Sequence, residues 1–306
     1  MNEYRLIRKK QDLGNRINLY RQQQLAIGIL DLSTRRELIS ALEWYVSNLN
    51  INLHVMTTES KIADLQLPES YPDVNFLVFP GASTTGEYIN AFANECNASF
   101  FLVTRSDASL ITFDGSALMK LMSERNHPAV ITPVMISSSG DILPTLRAPF
   151  LKGREVEPLI FTPSMEEDRE EENLYPVMEM GLYDRALFQR LRSYDTQIFG
   201  EYYQAMDFGV RCFLFGYRIF TTRALVFHFP SKLQIIEDHS LCEGVNRFYT
   251  KALSIRHIAG KNVVEKWKPY VDKELLNGEV RTKQIILQKT DFQTLVKNWK
   301  IIADED

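Results

Sequence analysis

The sequence has few of the residues and patterns that mark membrane-spanning, disulfide-bonded or zinc-binding proteins. Its three cysteines, Cys96, Cys212 and Cys242, are scattered and form no CxxC spacing, which predicts reduced, buried thiols. Its apolar runs, such as Ala224–Phe229, fall far short of the ~20 residues that span a bilayer. The first residues, MNEYRLIRKK, lack the apolar core of a signal peptide. We therefore expect a cytoplasmic protein, or one that contacts a membrane only at its surface.

The motifs of several common catalytic and nucleotide-binding sites are also missing. GxSxG, GxxxxGK[ST], HExxH and GxGxxG do not occur, so no serine nucleophile, P-loop, zinc-protease helix or dinucleotide fingerprint is indicated. The net charge of −4 argues against nucleic acid as a partner, because nucleic-acid binders usually carry a basic excess. Only residues 1–24 are basic, with six Lys and Arg against two Asp and Glu. This pattern predicts a solvated helix, with an anionic membrane or a partner protein as the alternative contact.

What the chain does contain is typical of a globular protein. Of its 306 residues, 45% are apolar and 24% are charged. The length predicts one core of about 200–250 residues plus an extension. We divide the chain into a basic N-terminal helical segment (1–23), a main domain (24–230) and a C-terminal helical extension (231–306).

Strand and helix patterns alternate along the first half of the chain, which predicts an α/β fold with a mainly parallel sheet flanked by helices. In such sheets ligands bind beyond the carboxyl ends of the strands, which points to Asp31, Thr57–Glu59, Gly81–Gly86 and Arg105–Ser109. The five apolar runs that predict strands are Leu25–Leu30, Leu53–Met56, Val74–Phe79, Ser99–Thr104 and Ala129–Ile136. The helices between them begin after Ser33 or Thr34, at Thr84 or Thr85, and at Asp114.

The second half of the chain shows a different pattern. The acidic run Glu166–Glu172 predicts an exposed loop. Helical spacing returns at Tyr183–Leu191 and at Glu201–Phe215, and two further strands are predicted at Gly216–Phe220 and Ala224–Phe229. The remaining residues favour helices.

Three polar features lie in apolar surroundings. Asp107, two residues before Ser109, follows a strand and offers oxygen ligands to a hard divalent cation, although such residues also serve as turn and cap residues. Asp207 and Arg211 lie four residues apart on one helix face, which suits either a general base or an ordinary ion pair. His228 lies in an apolar strand, as a metal ligand or a structural histidine.

A series of segments over about residues 24–230 resembles the inverting nucleotide-sugar glycosyltransferases of family 2, which have a GT-A fold. The resemblance implies a GT-A-type, Rossmann-like fold in which Asp107, Asp207 and His228 converge on one cleft. The segments are LAIGILDLSTRRELISALEWYV, NLHVMTTES, GEYINAFANECNASFFLVTRSDASL, ALMKLMSERNHPAVITPVMISSSGDILPT, MEMGLYDRALFQRLRSYDTQIFGEYYQAMDFGVRCFLFGYRIF and VFHFPS.

What the resemblance implies about activity is also specific. A sugar would pass from a nucleotide-sugar donor to a hydroxyl of a glycan, lipid or protein acceptor, with inversion and with the help of Mn²⁺ or Mg²⁺. The site residues that it implies are the metal ligands Asp107, Ser109 and His228, the catalytic residues Asp207, Glu201 and Arg211, and the donor-binding residues Asp31, Thr57, Glu59, Gly86, Asn90, Arg105 and Ser106.

The sequence departs from the family pattern at several positions. Thr57-Thr58-Glu59-Ser60 replaces the acidic motif at the end of the second strand, and Asp31 replaces a residue that contacts the base through its backbone. Ser109 replaces the second carboxylate of the metal motif, and Gln204-Ala205 replaces the acidic pair that supplies the base, which leaves Glu201 as an alternative base. Two other interpretations therefore stay open. One is a catalytically inactive GT-A-like domain that binds a nucleotide sugar or a protein partner. The other is a nucleotidyltransferase, although the Gly-rich loop with Arg or Lys expected after Leu30 is replaced by Asp31-Leu32-Ser33-Thr34-Arg35-Arg36.

Overall fold

A computed structural model describes residues 3–8, 23–124, 126–166 and 169–299 of the chain. The strands within these residues are β1 Arg5–Ile7, β2 Gln23–Leu30, β3 Asn52–Thr58, β4 Asn75–Phe79, β5 Ala98–Arg105, β6 Ser109–Phe113, β7 Val130–Ile136, β8 Leu146–Ala148, β9 Leu151–Lys152, β10 Glu155–Val156, β11 Leu159–Phe161, β12 Glu171–Glu172, β13 Gly181–Asp184, β14 Ile219–His228, β15 Ile255–Ile258 and β16 Lys261–Val264. Ten of them form one sheet in the order β1-β4-β3-β2-β5-β13-β7-β14-β12, with β6 paired to β14.

The centre of this sheet is mainly parallel, as the alternation of strands and helices predicts. Strands β4, β3, β2 and β5 run parallel to one another, and β7 runs parallel to β14. Strand β13 lies antiparallel between β5 and β7, which makes the sheet mixed. The carboxyl ends of β2, β3 and β5 therefore meet at one edge of the sheet.

Helices cover both faces of the sheet, so that successive residues of a central strand enter different cores. On β5, Phe101 and Val103 pack into one apolar core and Leu102 into the other. The helices are α1 Arg35–Asn48, α2 Glu59–Leu65, α3 Leu67–Ser70, α4 Thr85–Glu95, α5 Gly115–Ser123, α6 Arg185–Arg190, α7 Glu201–Leu214, α8 Val245–Leu253, the adjoining helical turns Lys273–Leu275, Leu276–Gln284 (π-helical) and Ile285–Leu287, and finally Phe292–Asn298.

Two of the helices that begin where the sequence predicts have reciprocal caps. The Thr34 side chain accepts a hydrogen bond from the backbone N–H of Glu37, and Glu37 reaches back to the Thr34 N–H. Thr84 and Glu87 form the same reciprocal cap on α4. Each cap satisfies backbone donors that the first turn of a helix leaves free, so these two starts are set by local chemistry.

Both terminal segments contain strands where the sequence predicts helices. Within the segment 1–23 the structure describes residues 3–8 and Gln23; Arg5–Ile7 form a strand because they pair with the free edge of β4, and residues 9–22 lie outside the described part. The extension 231–306 includes a hairpin of β15 and β16 as well as helices. Its turn, Ala259-Gly260, takes positive φ at both residues, which matches the twist of a two-residue hairpin loop.

Four predicted elements have different boundaries in the structure. Residues 181–191 form strand β13 followed by the short helix α6, where the sequence predicts one helix over Tyr183–Leu191. The two strands predicted at 216–229 are one strand, β14, with an irregular register between Thr222 and Val226. Thr222 lies beside Pro133, which has no N–H for the ladder, so the register shifts there. Within the acidic run, Glu171 and Glu172 form the edge strand β12.

No helix in the described ranges is long and apolar enough to cross a bilayer.

Candidate active site

Backbone hydrogen bonds tie together the segments that follow β2, β3 and β5. The N–H of Ser106 donates to the carbonyl of Leu30, and the N–H of Asp31 donates to the carbonyl of Met56, each at 3.0 Å. The side chains that follow these strands are therefore held at one edge of the sheet. This is the edge at which α/β proteins bind ligands.

Asp107 lies at this edge and binds two cationic side chains. Arg105 Nε lies 3.0 Å from its Oδ1 atom, and Lys232 Nζ lies 2.9 Å from its Oδ2 atom. Burial by itself raises the pKa of Asp107, but hydrogen bonds and charge from Arg105 and Lys232 outweigh it and lower the pKa below its ordinary value. Asp107 is therefore a carboxylate at neutral pH, with a concentration of positive charge beside it.

Ser109 and His228 are cross-strand neighbours. Ser109 opens β6 and lies opposite His228 at the end of β14. This pairing brings His228 to the segment that carries Asp107, although the two are 121 positions apart in the sequence. Among the described residues there is no cluster of three or more His, Cys, Asp or Glu that could hold a metal ion. A cation bound here would need further ligands from a substrate.

Asp31 and Thr57 form a second polar group at the same edge. The Thr57 hydroxyl donates to Asp31 Oδ2 at 2.6 Å, and Lys61 Nζ lies 2.9 Å from Asp31 Oδ1. The hydroxyls of Ser33 and Ser106 are hydrogen-bonded to each other. Glu59 is exposed in the first turn of α2. Sequence reasoning missed Lys61, whose position in the first turn of the helix directly after β3 was the available signal.

The amino end of α7 carries Glu201 and Gln204, which contact α4. The Thr85 hydroxyl donates to the Glu201 carboxylate, and the Gly86 N–H donates to Gln204 Oε1 at 2.9 Å. Gln204 Nε2 donates to Thr84 Oγ1 and to two backbone carbonyls. The amide that replaces the family's acid is therefore a hydrogen-bonded link between two helices, while Glu201 remains exposed.

Asp207 and Arg211 lie inside the protein, within a buried ion cluster. Arg211 Nε is 2.9 Å from Asp207 Oδ2, and Lys251 Nζ of α8 is 2.6 Å from Asp207 Oδ1. The same Lys251 lies 2.7 Å from Asp195, which also pairs with Arg247. Only 1% of Asp207 is exposed, and it does not line the cavity described below. The structure thus separates Asp207 and Arg211 from the sheet-edge residues.

Gly86 and Asn90 of α4 support neighbouring segments. The Asn90 side chain donates to the Tyr194 carbonyl and accepts from its N–H, at 2.9 and 3.0 Å. A Cβ atom on Gly86 would lie 2.5 Å from Gln204 Oε1 and 2.7 Å from Tyr194 Cβ. Both residues therefore position the amino end of α7 and the loop before it.

We expect Gly86→Ala to destabilise the fold by about 1–3 kcal/mol, because the added methyl overlaps a glutamine that its own hydrogen bonds hold in place. Thermal unfolding checks this. The matched control is Gly81→Ala, where a Cβ meets no atom within 4 Å. Equal melting temperatures for the two variants would contradict the close contact.

A cavity of about 770 Å³ opens beside the sheet edge. Arg105, Glu179, Glu201 and Lys232 line it, together with the segment 231–242 that follows β14. Sequence reasoning missed Glu179 and Lys232, although each lies within or directly after a segment of the resemblance, MEMG and VFHFPS. A second cavity, of about 550 Å³ around Arg147 and Trp299, contains none of the predicted site residues.

Known proteins resemble this chain in structure. No protein-family model matches it, and no curated protein matches its sequence. A structure of GalNAc-T7 with UDP, GalNAc and Mn²⁺ aligns with a TM-score of 0.65 at 9% identity, over 91% of this chain and 57% of that one. S. aureus TarS (TM-score 0.48, 11% identity, 67% and 36%) and the mannosyltransferase PcManGT from Pyrobaculum calidifontis with GDP-Man and Mn²⁺ (0.45, 11%, 68% and 56%) align less well.

The chain spans a little over half of the length of the GalNAc-T7 chain that it matches. Over that span, the mainly parallel sheet flanked by helices is shared. The chain therefore has a GT-A-type fold, with its polar sheet edge and its cavity side by side.

Proposed function

We propose that the chain is a glycosyltransferase that moves a sugar from a nucleotide-sugar donor to an acceptor hydroxyl. The observation that carries the proposal is the pair of cations, Arg105 and Lys232, which line the 770 Å³ cavity and also hold Asp107 at the sheet edge. Such a grouping suits a diphosphate, whose negative charge grows as the sugar leaves. The GalNAc-T7 structure, with the same fold, holds UDP, GalNAc and Mn²⁺.

The reaction exchanges one bond at the anomeric carbon for another and moves one proton. The acceptor oxygen attacks the anomeric carbon, the bond from that carbon to the diphosphate oxygen breaks, and its electron pair stays on the diphosphate. The acceptor proton passes to the Glu201 carboxylate, which is exposed at the cavity and oriented by the Thr85 hydroxyl. Glu201 takes this role because Asp207, the other candidate base, is enclosed by Arg211 and Lys251.

The residues beside Arg105 fit a divalent cation that binds together with the donor. Asp107, Ser109 and His228 offer a carboxylate, a hydroxyl and an imidazole, and Mg²⁺-type sites commonly combine one or two carboxylates with substrate phosphates. When bound, Mn²⁺ or Mg²⁺ neutralises charge on the diphosphate as a Lewis acid. Arg105 and Lys232 hold Asp107 in its charged form, which is the form that binds a cation.

We assign the nucleotide to the same edge of the sheet, at the ends of β2, β3 and β5. Asp31, Glu59 and Ser106 follow three neighbouring strands, Thr57 lies near the end of β3, and Lys61 adds a cation next to Asp31. In this proposal they frame the base and ribose, while Gly86 and Asn90 support the site through α7 and Tyr194.

A thermal-shift titration with UDP-, GDP-, dTDP- and CMP-sugars, each with and without Mn²⁺, tests the proposal. A ligand that binds only the folded state raises the melting temperature, and a Mn²⁺-dependent rise for one nucleotide class is the expected result. If no donor raises the melting temperature of a folded sample, the result contradicts the proposed function.

We expect Asp107→Asn to lower Mn²⁺-dependent turnover by at least about tenfold while the chain stays folded, because it removes the carboxylate of the cation site. Turnover over a Mn²⁺ series, with circular dichroism as the folding check, measures this. Asp73→Asn, at an exposed aspartate before the amino end of β4, is the control. Full activity of Asp107→Asn would refute the metal assignment.

The stereochemical outcome and the acceptor complete the proposal. One displacement with Glu201 as base inverts the anomeric centre, as the family 2 resemblance implies, and proton NMR of the initial product reads the anomer directly. The acceptor is a glycan, lipid or protein hydroxyl, and we place the protein in the cytoplasm or at a membrane surface.

One observation favours a second candidate, a non-catalytic domain that binds a nucleotide sugar or a protein partner. The resemblance places acids at three positions on α7, and none of them is a free base here: Gln204 links two helices, Ala205 carries no acid, and Asp207 lies in an ion cluster. Donor binding without transfer or hydrolysis, over a broad acceptor panel, would select this candidate.

A further inference from the structure

Glu179 is a buried carboxyl group on the wall of the candidate active-site cavity, and the reaction proposed above gives it no role. Only 1% of the residue is exposed, and its Oε1 atom has no hydrogen-bond partner within the described part of the chain. It lines the cavity with Arg105 and Glu201. A buried polar atom without a partner is unfavourable, so its presence beside a cavity points to a ligand that completes it.

The backbone holds Glu179 in one orientation. Met178 and Glu179 both have positive φ, 55° and 54°, which residues other than glycine seldom adopt. The Glu179 N–H donates to the Pro176 carbonyl at 3.0 Å, and its own carbonyl accepts from the Tyr183 hydroxyl at 2.7 Å. Unfavourable backbone conformations that neighbours enforce in this way cluster at ligand sites.

The charge state of Glu179 suits a position close to a diphosphate. Burial raises the pKa of Glu179 well above its ordinary value, and the nearby Glu201 carboxylate adds to the effect. This shift favours the neutral acid, which does not repel an anion. The neutral acid also both donates and accepts hydrogen bonds, which matches a sugar hydroxyl.

On the basis of the proposed function, we propose that Glu179 binds the transferred sugar, with its carboxyl group hydrogen-bonded to a pyranose hydroxyl. The diphosphate lies at Arg105 and Lys232, and the sugar attached to it extends toward Glu179 and Glu201. Glu179 then helps to determine which sugar the site accepts.

The test compares two ligands on two variants by isothermal titration calorimetry. The ligands are the nucleoside diphosphate and the nucleotide sugar of the class that the thermal-shift panel identifies. We expect Glu179→Met to bind the diphosphate within about twofold of the parent chain and the nucleotide sugar about tenfold more weakly or worse, since it loses only the contact to the sugar. Glu179→Gln keeps a neutral hydrogen-bonding group and is expected to retain most of the affinity.

The outcomes separate this inference from the proposed function. If the parent chain binds neither ligand, both proposals fall. If the parent binds both ligands and Glu179→Met binds the nucleotide sugar equally well, the role of Glu179 is wrong and the proposed function stands. An equal loss for both ligands shows a structural role and also overturns the inference.

A further measurement does not depend on whether Glu179→Met folds. The parent chain is titrated with donors deoxygenated at single sugar positions. One of them is expected to bind about tenfold more weakly, and uniform affinity across the series would overturn the assignment.

Discussion

Glu201→Gln is expected to lower kcat by about a hundredfold to ten-thousandfold while donor affinity stays near that of the parent chain, because a base acts only on the acceptor proton. The amide keeps the size of the side chain and still accepts the hydrogen bond from Thr85. Initial rates at saturating donor, together with the dissociation constant of the donor, separate kcat from binding.

The matched control is Glu274→Gln. Glu274 is also an exposed glutamate in a helical first turn, and it does not line the cavity. If Glu201 acts as the base, Glu274→Gln is expected to keep kcat within about twofold of the value for the parent chain. A Glu201→Gln variant with the kcat of the parent would remove Glu201 from the mechanism and strengthen the non-catalytic candidate.

Lys251→Met is expected to lower the free energy of unfolding by about 3–5 kcal/mol, because it leaves the buried carboxylates of Asp195 and Asp207 with one cation each in place of two. Urea denaturation at pH 7 measures the change. Asp195 is charged at that pH. Burial raises its pKa, but the charges of Lys251 and Arg247 outweigh burial and hold the pKa well below its ordinary value. Its stabilising contribution is therefore complete above the unfolded pKa of about 4 and is lost as the pH falls.

The control for this prediction is an exposed ion pair. Lys152 lies 2.9 Å from Glu157, and the two side chains are 71% and 50% exposed. Lys152→Met is expected to cost less than about 1 kcal/mol, since water already solvates both charges. Similar losses for Lys152→Met and Lys251→Met would show that the buried cluster is not a main source of stability.

Several elements were predictable because their causes are local. The reciprocal caps at Thr34 and Thr84 depend on residues three positions apart. The apolar runs of the central strands predict buried parallel strands, and a parallel sheet brings the ends of β2, β3 and β5 together. Asp31, Thr57 and Asp107 were therefore found at one edge from pattern alone.

The roles of residues on α7 were not predictable in this way. Glu201 and Asp207 lie on the same helix; the spacing to Arg211 made Asp207 a candidate for a base, and the replaced acidic pair of the resemblance left Glu201 as the alternative. The ion pair of Asp207 with Lys251 of α8 distinguishes the two residues, because it encloses Asp207 and not Glu201. No local pattern predicts that contact, because it depends on how α8 packs against α7.

The sequence by itself determined the α/β class, the starts of two helices and the group of polar residues at one sheet edge, since these follow from hydrophobic periodicity, capping and the direction of parallel strands. Only the tertiary structure decided that Asp207 is enclosed by cations, that Lys232 reaches Asp107, and that Glu179 lies buried at the cavity. These contacts join residues that are distant along the chain. Burial and charge pairing between such residues depend on packing, which a linear pattern does not record.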